Sequence, residues 1–323
     1  MASFFKRVSK RMKMTTKGIR SDLHFSPYYA WLRLCDELGG RLGFSKLSAR
    51  SHEKKDRWIR DYLEKKLKPV WEPLVADENR GTPCHNGPVW VCWWTGEETA
   101  PLLVKKCIES IRRNAGGHTI HIITRDNYKE YLEIPDFILE KVDNGQMCVA
   151  NFSDYLRFSL LAKYGGLWLD ATIFCSRPLP EEIFRMPVFT CKGRTGDGKY
   201  ISDYRWTAFC FGGYQGNILF RYFQAALEQF WKEHKTSIDY LLVDYTIDLG
   251  YRKIPAIRQC LDAVPENNMQ RDDLQAAMNA ARPASDLETI LNPATTLYKL
   301  SWREQYQETT SDGELTIYGS FIQ

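Results

Sequence analysis

NFSDYLRFSLLAKYGGLWLDATIF, residues 151–174, reads as a helix, a glycine stop and a short buried strand that carries a single carboxylate near its end. Leu156, Leu160, Leu161 and Tyr164 recur at helical spacing. Asn151 or Ser153 can cap the first turn, and Gly165 suits the left-handed residue that ends a helix. After Gly166 the period becomes two. Leu167, Leu169, Ala171 and Ile173 are predicted to face one way along a single strand, with Trp168, Asp170 and Thr172 facing the other. A charged group at such a strand end stands at the lip of an open α/β sheet, where ligands of these folds bind.

Outward from this stretch, strands are predicted at Val89–Trp94, Thr119–Thr124, Val188–Cys191 and Thr207–Gly212. Helices are predicted at Ala100–Asn114, Asn217–His234, Asp239–Gly250 and near Met269–Ala280. The alternation predicts an α/β fold with a mostly parallel sheet and helices on both faces. Residues 21–76 read as helical and peripheral. Tyr28–Leu38 and Lys54–Leu67 have mixed faces, and Pro69 and Pro73 end the run. GTPCHNGP at 81–88 is a turn-rich linker. The organisation expected is a basic arm at 1–20, a helical extension at 21–84 and a nucleotide-binding domain at 85–323.

Residues 1–20 hold seven Lys or Arg and no acid, leaving 37 basic against 40 acidic residues in the remainder. The body is therefore not basic, which argues against a nucleic-acid channel. The arm interleaves Phe4, Phe5, Val8 and Met12 with its charges. It suits an anionic membrane surface, each basic residue contributing on the order of 1 kcal/mol near the lipid; a frayed, solvated terminus is the plainer reading. Nine cysteines make an odd number with no C-x-x-C pair, so a reducing cytosol is expected rather than a disulfide framework or zinc ribbon. No apolar run reaches the ~20 residues of a membrane span, and no signal-peptide core follows the basic start. Dinucleotide-binding, P-loop and nucleophile-elbow glycine patterns are also missing. His118 and His121, three apart on a predicted strand, make poor joint metal ligands.

Ser153-Asp154, Arg157 and then Tyr164-Gly165-Gly166 with Trp168-Leu169-Asp170-Ala171-Thr172 resemble the sugar-nucleotide signature of glycosyltransferases with a DXD motif. The pattern is most similar to the capsular polysaccharide synthesis branch. That branch belongs with the retaining enzymes that include yeast initiation mannosyltransferase-like and glucosylating-toxin-like proteins. VWVCWWTG at 89–96, ISDYRWT at 201–207, DYLLVDY at 239–245 and LYKLSW at 297–302 fit the same resemblance, which covers about residues 85–320. It implies a GT-A type fold. It also implies transfer of a hexose, with retention, from a UDP-sugar to a hydroxyl of a lipid-linked capsular or exopolysaccharide glycan. Mn²⁺ or Mg²⁺ is implied as cofactor, and the enzyme is expected in the cytoplasm, peripheral on the inner face of the plasma membrane.

The resemblance assigns Asp170 to the nucleotide and the metal, with Thr172 at the position where the usual motif has a second, metal-ligating Asp. A hydroxyl is a weaker ligand than a carboxylate for a hard cation. Away from the motif, Asp170 would read as a strand-end carboxylate that caps a turn. Asp154 and Arg157 share a helix face one turn apart. As a plain i,i+3 pair they would contribute only ~0.3–0.5 kcal/mol; the resemblance puts them on the donor sugar's hydroxyls and the phosphate side. Of Trp93 and Trp94, one is expected to face the core and one the cleft. Trp94 is the choice for stacking uracil, worth roughly 1–3 kcal/mol, although both can be core. Trp168 shares a strand face with Asp170 and is a candidate for the donor pocket or for the core. Asp203, Arg205 and Trp206 lie in a polar, glycine-containing loop and join the candidates. Asp244 is the candidate acceptor-activating carboxylate, whereas Asp239 reads equally as a helix cap. Two other readings remain open at this point: a protein-modifying glycosyltransferase, and a non-catalytic sugar-nucleotide- or glycan-binding subunit.

Overall fold

A computed structural model of the chain describes residues 21–41, 44–194, 200–282 and 291–323. The basic arm at 1–20, and with it the membrane-surface expectation, lies outside the described residues.

Proline and glycine punctuate the chain. Helix α1 (Pro27–Arg41) and helix α2 (Ser45–Lys66) precede a loop that leads into strand β1 (Val89–Cys92). Helix α3 (Leu102–Asn114), strand β2 (Ile120–Ile123) and helix α4 (Asp136–Asp143) follow. Helix α5 (Val149–Tyr164) stops at Gly165, and strand β3 (Gly166–Leu169) starts at once. The two glycines take φ of +67° and +92°, and a Cβ on Gly166 would lie 2.1 Å from the Pro88 carbonyl oxygen. Only glycine can bring the α5–β3 junction so close to the strand beside it. Then come β4 (Ile173–Cys175), β5 (Val188–Thr190), β6 (Cys210–Gly213), α6 (Ile218–Glu233), α7 (Leu242–Lys253), α8 (Pro255–Asp262) and β7 (Leu297–Lys299).

The main sheet has the order β2-β1-β3-β6-β5. Strand β1 pairs in parallel with β2 and β3, whereas β6 is antiparallel to both β3 and β5. One strand therefore runs against four, and the mostly parallel sheet expected from the sequence is present. Trp90, Trp168 and Phe211 point into one core with α5 and α6, where Phe158, Phe220 and Phe223 meet them. Val89, Val91, Leu167 and Leu169 point to the other face, against Val104, Ile108 and Ile111 of α3. Helices thus cover both faces, as the β/α alternation requires.

Two expectations need correction. The first is the single strand through residues 166–174. It breaks after Leu169: the Asp170 amide donates to the Phe209 carbonyl at 2.9 Å as the last bond to the main sheet. Residues 170–172 turn, with the Ile173 amide closing on the Asp170 carbonyl at 2.9 Å. Strand β4 then joins a separate two-stranded sheet, antiparallel to β7, with Ile173 opposite Lys299 and Phe174 opposite Tyr298. The apolar alternation continues unbroken through this turn, so it could not reveal the change of sheet. The second is the peripheral N-terminal extension. Tyr29, Ile59, Leu63 and Leu67 are fully buried in the same core cluster as Trp90 and Trp168. Tyr245 of α7 donates to Asp56 of α2 at 2.6 Å, and Asp248 of α7 is held by Arg60 of α2 as well as by Arg205 and Arg252. Three of the polar residues that made α2 look like a surface helix, Asp56, Arg60 and Glu64, fasten it to α7.

Candidate active site

The carboxyl ends of β1 and β3, the first half of α5, the start of α7 and the segment after β7 surround a cleft of about 480 Å³. Helix α5 contributes Asp154 and Arg157 to it, the β3–β4 turn Asp170 and Thr172, α7 Asp244, and β7 Lys299. Trp93, at the end of β1, and Trp302 form an aromatic wall, their rings edge-to-face at 5.8 Å.

Arg157 lies at the centre and is 4% exposed. Its Nη1 donates to Asp154 Oδ1 at 2.7 Å and its Nη2 to Asp170 Oδ1 at 3.0 Å, so one guanidinium bridges a helix and a strand end. Trp168 Nε1 donates to the same Asp170 oxygen at 3.1 Å. The other oxygen, Oδ2, accepts from Lys299 Nζ at 2.9 Å. Lys299 Nζ also donates to Thr172 Oγ1 at 2.8 Å. Of the side chains that line the cleft, Arg157 Nε and Trp93 Nε1 are buried donors without a partner. Such donors are costly to bury unless something in the cleft accepts from them.

The three carboxylates are tuned apart. Burial alone would raise Asp170, but Lys299 and Arg157 outweigh it and hold the group below the usual carboxylate range. Burial raises Asp154 to about 6, against the pull of Arg157 and with the help of the Asp170 and Asp244 charges. Burial likewise raises Asp244 to about 6, opposed by the hydrogen bond from Trp206 Nε1 at 2.9 Å and by Arg157. A carboxyl raised in the folded state contributes stability that is present below its unfolded value near 4 and lost as the pH rises through about 6. Asp244→Asn keeps the acceptor for Trp206 and removes the buried charge. It should therefore stabilise the ligand-free protein at pH 7.5, by about 1–3 kcal/mol, and give no gain at pH 4. Urea melts at the two pH values check this; equal effects at both would show that the Asp244 charge carries no strain.

The structure brings Asp154, Arg157, Asp170, Thr172, Asp244 and Trp93 together in the cleft and leaves Trp94, Trp168, Asp203, Arg205, Trp206 and Asp239 outside its lining. Trp94 was the choice for the nucleobase, but it packs into the core with its ring edge-to-face to Phe152 at 4.9 Å and tilted against Tyr128 at 5.5 Å. Trp93 takes the cleft position instead, because α5 fills the space on the Trp94 side of the sheet. Trp168 is buried beneath the cleft and acts on it by bonding to Asp170 and by placing its ring 5.1 Å under the Arg157 guanidinium. Arg205 lies over the Trp206 and Tyr251 rings and bonds to the Ser202 and Ile201 carbonyls and Asp248, which fixes the loop behind Asp244. Asp239 Oδ1 accepts from the Leu241 amide at 3.0 Å in a turn just ahead of α7, whose N-cap is Leu241 with no side-chain bond, so Asp239 is not the helix cap. Sequence reasoning gave no role to Lys299 or Arg303, nor to Trp302 individually. The signal was present in LYKLSW, where a basic residue interrupts an apolar strand.

The resemblance calls for Mn²⁺ or Mg²⁺ on Asp170 and Thr172, and the donor set does not fit it. Hard divalent cations sit roughly 2.0–2.6 Å from six or more oxygens, of which substrate phosphates and water can supply part, so the test is whether Asp170 and Thr172 have oxygens free to offer. Asp170 Oδ2 and Thr172 Oγ1 already converge on an ammonium group, and Asp170 Oδ1 carries two N–H donors. No group of three or more His, Cys, Asp or Glu that could hold a metal occurs among the described residues.

The chain belongs to the capsular polysaccharide synthesis protein family, whose sequence profile matches residues 41–320. Over 143 residues it is 26% identical to the O-glycosyltransferase braB of Annulohypoxylon truncatum, a match covering 38% of this chain and 32% of that protein. The chain thus spans about a third of the length of that curated relative. Among solved structures, the PaToxG Glycosyltransferase aligns over 66% of this chain and 90% of its own, with 14% identity and a TM-score of 0.34. Family and curated relative agree with the glycosyltransferase class read from residues 153–172. No helix among the described residues is long and apolar enough to cross a membrane.

Proposed function

We propose that this member of the capsular polysaccharide synthesis family moves a hexose, with retention, from a UDP-sugar to a hydroxyl of a lipid-linked capsular or exopolysaccharide glycan, using a GT-A type site. The observation that carries the reading is the Arg157 guanidinium, buried, pinned by Asp154 and Asp170, and left with an unused Nε–H. A fork of this kind suits diphosphate oxygens. The Trp93–Trp302 wall gives the uracil an aromatic surface. Asp154 is suited to accept from hydroxyls of the donor sugar. As the bond from the anomeric carbon to the diphosphate stretches, negative charge gathers on UDP, and the fixed guanidinium stabilises it without reorganisation. Asp244, across the cleft, receives the proton of the attacking acceptor hydroxyl once it is ionised, which requires a pH above about 6. Release of UDP from a panel of UDP-sugars tests the reading. Turnover with one donor supports it; failure to bind or hydrolyse any of them, by folded protein, overturns it.

The basic arm supplies the membrane side of this proposal, at the cytoplasmic leaflet where a lipid-linked acceptor stands. Deleting residues 1–20 should abolish co-sedimentation with anionic vesicles at low salt, where screening is weak, and leave UDP-sugar hydrolysis nearly unchanged. A full-length protein that never co-sediments under these conditions would refute the tether.

A further inference from the structure

We propose that Lys299 takes the place of the divalent cation in this cleft, so that nucleotide binding and transfer proceed without a metal. The inference rests on the reading of the cleft as a UDP-sugar site. Its basis is geometric. The side chains at the two positions that would hold a metal, Asp170 and Thr172, both accept hydrogen bonds from the same Nζ, at 2.9 and 2.8 Å. An ammonium has three N–H donors, and these two bonds leave one for a diphosphate oxygen.

The position of Lys299 is not the accident of a long side chain. Strand β7 is in register with β4, Lys299 opposite Ile173, the residue after Thr172. The Lys299 amide donates to the Arg271 carbonyl at 2.7 Å, and the Leu300 amide to the Thr172 carbonyl at 2.9 Å. Backbone pairing therefore fixes the root of the lysine beside the two oxygens, and the side chain is only 26% exposed.

Charge accounts for the threonine. Two carboxylates at positions 170 and 172 would need about two positive charges to receive a diphosphate, which a divalent ion supplies. One carboxylate and one hydroxyl need one, and an ammonium supplies it. The hydroxyl also suits a hydrogen-bond donor better than a hard cation. Thr172 in place of a second Asp and Lys299 in place of a metal thus form one coherent substitution.

Calorimetric titration of the full-length protein with UDP, in EDTA and in Mn²⁺, tests this. Wild-type affinity is expected to be the same in both, with UDP-sugar hydrolysis persisting in EDTA. Lys299→Ala should bind UDP in EDTA about tenfold more weakly or worse, the value of a charge-assisted bond, and should recover affinity when Mn²⁺ enters the vacated space. Lys299→Arg, which keeps the charge, should still bind in EDTA and guards against a loss caused by misfolding. Wild-type binding or turnover that appears only with Mn²⁺ overturns the role of Lys299 and leaves the UDP-sugar reading standing. Lys299→Ala binding as tightly as wild type in EDTA overturns it as well. No UDP binding in either condition brings down the reading of the cleft and this inference together.

Discussion

Asp170→Asn should lower UDP-sugar turnover by about 10²–10³ while the protein still folds, the usual cost of removing one charged stabiliser from such a site. The carboxylate does three things at once: Oδ1 receives Arg157 and Trp168, and Oδ2 receives Lys299. An amide has one acceptor oxygen, so it can satisfy Arg157 or Lys299 but must present its NH₂ to the other cation. The two positive groups that face the diphosphate would then lose their common anchor. The effect on stability is smaller. The folded protein holds Asp170 below the usual carboxylate range, so its charge contributes stability above about pH 4 that is lost as the pH falls through the lowered value. The variant forfeits that contribution at neutral pH, but the core beneath it, built on Trp168 and Phe211, is unchanged. Steady-state UDP release and circular dichroism at pH 7.5 check both halves. A folded variant with near wild-type turnover would remove Asp170 from the site.

Arg157→Ala is expected to damage both activity and fold. Breaking a buried ion pair from one side commonly costs about 3–5 kcal/mol, because the partner charge stays behind. Here two carboxylates stay, Asp154 and Asp170; Asp170 keeps its bonds from Lys299 and Trp168, while Asp154 loses the cation that faced it. The loss should be largest at pH 7.5 and smaller at pH 5, since Asp154 is already raised to about 6 by burial and Arg157 is what opposes the rise. Below that range it protonates and no longer needs a counter-charge. Urea melts at the two pH values measure this difference, and UDP titration of the same variant measures the lost diphosphate contact. Arg157→Lys separates charge from shape. It returns the positive charge but not the fork that spans Asp154 and Asp170, so it should recover part of the stability and little of the UDP affinity. Full recovery of UDP affinity in that variant would show that a point charge suffices and that the bridging geometry is incidental.

Short-range interactions wrote much of this protein into its sequence. The helical spacing of Leu156, Leu160 and Leu161, the glycine pair at 165–166 and the apolar run that follows determined α5, its stop and β3, because helix pitch, positive φ and strand alternation act over a few residues. The same local rules located β1, α3, β2 and α6 to within two or three residues. They also set Asp154 and Arg157 on one helix face, one turn apart, where the structure pairs them.

Tertiary structure alone decided the remainder. Alternation along β1 said that Trp93 and Trp94 face opposite ways. Which side was open depended on Phe152 and Tyr128, far along the chain, filling the Trp94 side. Arg205 was a candidate by its place in a polar loop, yet two aromatic faces and Asp248 draw it behind the site. Lys299 meets Asp170 across 129 residues, and only because the chain leaves the main sheet at Asp170 and pairs β4 with β7. A period of two shows that a residue is extended and which face it shares; it does not show which strand lies beside it. The carboxylate at the sheet's lip was therefore legible in residues 151–174, while the cation that answers it was settled by strand pairing.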